Sequence, residues 1–241
     1  MRYIWFELLL CAMMSCSPTQ FSKPTRSQSL RINLSKEPAS LDPRKGNDMV
    51  ASQIHFMLYE GLLRLNPDMS LSVAQAESYE ISSDHKTYTF HLKNTVWSDG
   101  SPVTAYDFEK TWKSMLDPCF PSPDAYLLYP IKNAKPVKEG KLPLDQVAIH
   151  SKDVKTLVIE LERPTPYFLQ ILASSVFLPV KTDKDQSMPN WATQPEQIIS
   201  NGPFTLKSWK FNQEMVFEKN PHYHRASQVQ HVEVVDRARA Y

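Results

Sequence analysis

Along the 241-residue chain, apolar side chains recur at two spacings. Leu30, Ile32 and Leu34 alternate with polar neighbours, and so do Tyr88, Phe90 and Leu92, then Leu157, Ile159 and Leu161, then Phe204 and Leu206. A repeat of two puts such residues on one face of a strand, so each run predicts a half-buried strand. Further strands are predicted over 71–82, 147–149, 215–218 and 232–235, with 71–82 pairing with 87–93. Helical spacing appears at Val50, Ile54, Met57 and Leu58, which predicts an amphipathic helix from Met49 that closes near Tyr59-Glu60-Gly61, with Gly61 in left-handed geometry at its end. It appears again at Phe108, Trp112 and Met115, one stripe of a short helix. Thr104 stands where that helix needs an N-cap, and Asp107 three residues on completes a near capping box. Upstream, Ser98-Asp99-Gly100 is a turn signal and Pro102 fixes a second bend. Asp117-Pro118 ends the helix and opens an irregular stretch to Pro130 containing Phe120, Tyr126 and Tyr129. Pro166 suits the first position of a third helix whose buried side is Phe168, Leu169 and Leu172. Asn201-Gly202 is a turn leading into the strand at Phe204.

Composition narrows the function classes. The chain is 41% hydrophobic and 22% charged with a formal net charge of +1, which fits one large or two small globular domains. A near-zero charge leaves no basic excess for phosphate neutralisation and argues against a nucleic acid partner. Nineteen prolines against five glycines predict stiffly directed connections and no glycine-rich phosphate cradle. Cys119 is the single cysteine of the body, so neither an internal disulfide nor a paired metal-ligand spacing is available there. No nucleophile elbow, zinc-helix or redox motif occurs, so nothing supports an enzyme, a cofactor or a metal. His222 and His224 share an i, i+2 spacing, but no third ligand is near and Pro221 predicts a turn.

The N-terminus has the parts of a secretory signal over 1–15: Arg2, an apolar run over 8–14, and small Ser15 before the break. That run is too short to span a bilayer. Ser15-Cys16 resembles a bacterial lipoprotein cleavage box, which would make Cys16 the lipidated residue and its acyl chains the only membrane attachment. Met13 and Glu7 depart from that pattern, so cleaved secretion and a non-functional leader stay open. Residues 16–29, rich in Ser, Thr, Pro and Gln, read as a tether.

Trp97-Ser98-Asp99-Gly100-x-Pro102-Val103-Thr104-Ala105-x-Asp107-Phe108 resembles the signature of family 5 extracellular solute-binding proteins, the oligopeptide and dipeptide receptors of bacterial ABC importers. Other segments are similar to the same family: Glu37-Pro38-x-x-Leu41-Asp42-Pro43, Glu60-Gly61-Leu62, Asn201-Gly202-x-Phe204-x-Leu206-x-x-Trp209, and Lys219-Asn220-Pro221-x-Tyr223, where His224 replaces a usual tryptophan. Phe177-Leu178-Pro179-Val180 resembles a short family strand. The resemblance runs over residues 30–236 and implies an α/β (α+β in stricter terms) fold of the type II periplasmic binding protein class. In that reading 30–58 and 181–241 form lobe I with a mixed sheet, 59–180 form an inserted small domain, and a second lobe is missing because relatives are about twice as long.

The function implied is capture of extended oligopeptides for import, with permease subunits of an ABC transporter as partners, in the periplasm or on the outer face of the membrane. Strand-like main-chain bonds and roomy hydrated pockets make such binding tolerant of sequence. By position, the resemblance puts Asn47, Asp48 and Met49 beside the ligand, and Asp124 where the family carries an aromatic contact. Asn47 and Asp48 read equally as helix caps, and Trp97, Asp99, Gly100 and Asp107 read as scaffold. One wall of a cleft forfeits much of the burial behind affinity. Three readings therefore stay open: a truncated importer receptor, a half-receptor completed by a separate second lobe, and a surface lipoprotein serving as an interaction module.

Overall fold

The alternating and helical runs condense into two four-stranded sheets and the helices that cover them. The structure, a computed structural model, describes residues 29–34, 36–38, 40–46, 48–183, 188–225 and 231–236. The expected signal segment, the tether up to Gln28, Cys16 and Asn47 lie outside these residues.

In chain order the elements are β1 (Ser29–Leu34), α1 (Met49–Leu58), β2 (Leu63–Leu65), β3 (Leu71–Val73), β4 (Ala76–Ile81) and β5 (Thr87–Leu92), then α2 (Ala105–Leu116), α3 (Ala134–Lys138), β6 (Ile149–Ser151), β7 (Thr156–Glu160) and α4 (Phe168–Leu172), then β8 (Phe204–Lys210), β9 (Glu214–Lys219) and β10 (His231–Asp236). One sheet has the order β1-β10-β9-β8 and is mixed: β1 runs parallel to β10, with Ile32 opposite Val234, and the other pairs are antiparallel. The second sheet, β4-β5-β7-β6, is antiparallel throughout and lies in sequence between α1 and β8. A single apolar core joins them, with Phe90, Trp97, Phe108, Trp112, Phe168, Phe177 and Phe217 fully buried.

Local chemistry explains the α2 region. Gly100 takes φ of 82°, open to glycine at no Cβ cost, and its N–H donates to Trp97 O at 2.9 Å to close the turn. The Asp107 carboxylate then accepts the Thr104 N–H at 2.8 Å and starts the helix. Trp112 packs edge-on against Phe108 and Phe177 at 5.8 and 5.3 Å between ring centroids, and its Nε1–H donates to Phe177 O at 3.1 Å.

Four expectations need correction. The strand predicted over 71–82 is two strands. At the break, Ala74 N–H and Gln75 N–H donate to Leu62 O and Gly61 O, so β3 pairs with β2 while β4 turns away to pair with β5. Helix α1 ends at Leu58, capped by an extended Tyr59, and Gly61 has no positive φ; the chain leaves the helix straight instead of curling through a glycine. Pro166 precedes α4 by two residues, because Phe168 N–H donates to Thr165 O in a turn before the helix begins. Residues 177–180 form no strand: Ser175–Phe177 is a 3-10 turn, and the Thr111 hydroxyl of α2 serves both the N–H and the C=O of Val180 in place of a neighbouring strand.

Candidate ligand-binding groove

Helix α1 is the element that organises the candidate site. On its inner face Val50, Ala51, Ile54, His55 and Leu58 are buried. The loop before it is locked from within: Arg44, fully buried, makes a two-pronged bond with Asp42 at 2.9 and 2.8 Å, reaches Ser114 Oγ at 3.0 Å, and stacks over the Phe120 ring at 4.8 Å. A planar guanidinium suits this combination of fork and stacking. His55 Nε2 lies 3.0 Å from Ser40 O; a carbonyl only accepts, so Nε2 carries the proton. Burial pushes the His55 imidazole down to about 4, against the smaller opposing pull of the Ser40 carbonyl.

Beyond α1 the chain passes through a polar knot. The Asn201 side chain accepts from Glu60 N–H at 3.0 Å and donates to Glu60 O at 2.9 Å. The Glu60 carboxylate accepts from Gln75 Nε2 at 2.8 Å and Tyr223 OH at 2.7 Å, meets His224 Nε2 at 2.6 Å, and has Arg225 Nε at 3.7 Å. Burial, then the neighbouring carboxylate, pushes the Tyr223 phenol well above its ordinary value. Gly202 fits because its backbone lies against α1: a Cβ there would sit 2.7 Å from Leu58 C, closer than real contacts allow. Asn220 Nδ2 donates to Gly202 O at 2.9 Å and completes the stitch. His224 is thus spoken for by Glu60, while His222 stands exposed in the turn after Pro221.

On the outer side of this knot runs a groove of 610 Å³. Its walls come from α1 (Ser52, Phe56), β2 (Leu63, Leu65) and the end of α4 with the turn after it (Gln170, Ala173, Ser174), and Glu60 and Tyr223 lie at its base. Ser175 Oγ–H reaches Ser52 Oγ at 3.0 Å and ties the two walls together. Phe56 and Leu65 remain 46% and 42% exposed along it.

The residues expected at the site fall in different places. Asp48 is the N-cap of α1: its Oδ1 accepts the Ala51 N–H at 2.8 Å, and Lys36 approaches Oδ2 at 3.5 Å. Burial raises the Asp48 carboxyl, but the Ala51 bond and Lys36 together hold it below its usual range. Met49, 79% exposed, is the first residue of α1 and is not among the residues that line the groove. Asp124 precedes the 3-10 turn Ala125–Leu128, its side chain caps nothing, and burial alone raises its carboxyl. It does not line the groove.

Known proteins supply the frame for this geometry. Residues 71–238 match the bacterial extracellular solute-binding proteins, family 5, in the middle portion of that family. The chain belongs to this family. The oligopeptide-binding protein OppA of Bacillus subtilis is 41% identical over 196 residues, which are 80% of this chain and 36% of that protein. The dipeptide-binding protein DppE of the same organism is 37% identical over 203 residues, 84% of this chain and 37% of that protein. The substrate-binding domain of an oligopeptide ABC transporter from Bacillus anthracis superposes with a TM-score of 0.84 at 32% identity, covering 87% of this chain and 41% of that one. The fold is that of the type II periplasmic binding proteins. The chain spans well under half the length of the curated relatives it matches.

Within the chain the family's signature segments converge in space. The Glu60-Gly61, Asn201-Gly202 and Asn220-Pro221-x-Tyr223 segments meet in the one knot around Glu60. The Ser98 N–H donates to Ser200 O at 2.7 Å, which joins the Trp97-to-Phe108 segment to the same crossing. The groove residues Phe56, Leu65 and Ser174 carried no sequence signal except that Phe56 lies off the buried stripe of α1.

Proposed function

We propose that the chain belongs to the substrate-binding component of an ABC importer and supplies one wall of a cleft that takes an extended oligopeptide. The observation that carries the reading is the open groove beside α1 in a chain that superposes on oligopeptide receptors. One such receptor, Listeria monocytogenes OppA bound to peptide, matches with a TM-score of 0.84 at 29% identity over 88% of this chain. In this reading residues 30–58 and 181–241 act as lobe I and 59–180 as an inserted domain. The positions that the resemblance matches to ligand contacts, Asn47, Asp48, Met49 and Asp124, would meet the peptide beyond the groove, and a second lobe would close over it. The peptide main chain would take strand-like hydrogen bonds, a recognition mode shared by every sequence. Secretion through the 1–15 segment and lipid attachment at Cys16 would hold the receptor at the outer face of the membrane beside its permease subunits.

The test is thermal unfolding of the 241-residue chain with and without a pool of two- to five-residue peptides. A ligand held only by the folded state stabilises it by about 2.7 kcal/mol at a hundredfold excess over its dissociation constant. A cooperative transition that rises with the pool supports peptide capture. A cooperative transition indifferent to every peptide length sinks it.

A further inference from the structure

The groove has a chemical bias that peptide capture alone does not require. We infer that it receives an apolar side chain of the bound peptide and rejects a cationic one, an inference that rests on the peptide-binding reading above. Its volume of 610 Å³ lies within the range of about 300–1,000 Å³ usual for ligand pockets. Phe56 and Leu65 both line it, and both leave large apolar surface in water. Exposed apolar surface gathered in one concavity marks a place where something apolar settles.

The charges in the groove point the same way. Glu60 is the acid a cationic side chain would need, but Gln75, Tyr223 and His224 already occupy its oxygens, with Arg225 beside them. A ligand ammonium would compete with those three donors for the carboxylate oxygens, and displacing any of them would leave a buried polar group unpaired. Arg64 lines the same groove, its Nε donating to Ser72 Oγ at 2.9 Å, and adds like-charge repulsion. The pattern is therefore an apolar pocket whose charged groups are already engaged with one another, a setting that suits a neutral side chain.

The experiment is calorimetric titration of the whole chain with alanine tetrapeptides carrying Phe or Lys at each position in turn. At one position the Phe peptide binds about tenfold or more tightly than the Lys peptide, as burial of an aromatic ring against displaced polar bonds predicts. Phe56→Ser, at a half-exposed site, keeps the unfolding midpoint close to that of the parent and narrows this ratio to below about threefold. Peptides that bind with no Phe preference at any position overturn the inference and leave peptide capture standing. A preference that survives Phe56→Ser unchanged also overturns it, because the selecting pocket then lies elsewhere. Absence of any peptide binding removes both readings together.

Discussion

Helices α1 and α2 begin alike and differ in what their outer faces do. Each follows a proline-containing loop and each starts from an acidic cap, Asp48 for α1 and Asp107 within the Thr104 box for α2. Helix α2 buries Ala105, Phe108, Thr111, Trp112, Met115 and Leu116, and its outer face is polar apart from the half-exposed Tyr106, with a Glu109–Lys113 pair at 2.7 Å. Helix α1 buries a comparable inner face, yet it also presents Met49 and Phe56 to solvent. The family signature leads through a turn into α2, whose inner face is fully buried. The candidate binding wall sits on α1, where the outer face carries apolar groups that no core contact explains. A motif marks where a fold cannot vary; a site shows in what the packing leaves uncovered.

The harshest test of that contrast is Trp112→Ala. The indole is fully buried between Phe108 and Phe177 and its N–H is satisfied by Phe177 O, so truncation leaves both a cavity and an unpaired carbonyl. A loss of about 3–5 kcal/mol is expected, a large part of a typical domain's stability, read as a drop in the urea midpoint. If Phe56→Ala on α1 costs as much, the division between a packed helix and a ligand-facing one collapses.

Acid pH probes the inner face of α1. His55 is held neutral in the fold, down at about 4, against 6.5 when exposed. Between those values the unfolded chain takes up a proton that the folded chain refuses, so stability falls as pH drops from 6.5 towards 4 and levels off below. The full loss is about 3 kcal/mol. Denaturant titrations across this window should show the slope, and His55→Gln should flatten it while leaving peptide binding at neutral pH in place. A slope unchanged in His55→Gln would assign the acid sensitivity to carboxylates instead.

These contrasts also separate what could be read from the sequence. The turn at Gly100, the capping box of Thr104 and Asp107, the Phe108-Trp112-Met115 stripe and the alternating strands were legible because each depends on neighbours a few residues away. The break within 71–82 was not, since it is imposed by bonds from Ala74 and Gln75 to residues that follow α1. The same holds for the knot, where Glu60 and Asn201 are 141 residues apart. The groove draws on four separate stretches, 52–65, 170–175, Pro203 and Tyr223, and its residues have no periodicity of their own. Resemblance supplied the family from framework motifs, while Asp48, Met49 and Asp124, expected at the ligand, do not line the groove.

The mildest test concerns Asp48, whose carboxylate already has a structural task in accepting the Ala51 N–H and receiving Lys36. Asp48→Ala removes the cap and should cost about 1 kcal/mol, a shift of a few degrees in the unfolding midpoint. Asp48→Ser keeps an oxygen that can accept the same N–H, so it should recover most of that loss. The pair of variants separates two roles. If Asp48 only caps α1, the Ser variant restores stability and binds peptide like the parent. If the carboxylate also meets the ligand, the Ser variant restores stability but not affinity, because a hydroxyl replaces the cap without replacing the charge. That second outcome would place a ligand contact at the very start of α1. The first would leave Asp48 a cap alone, and the difference between the two helices would then begin only after their caps.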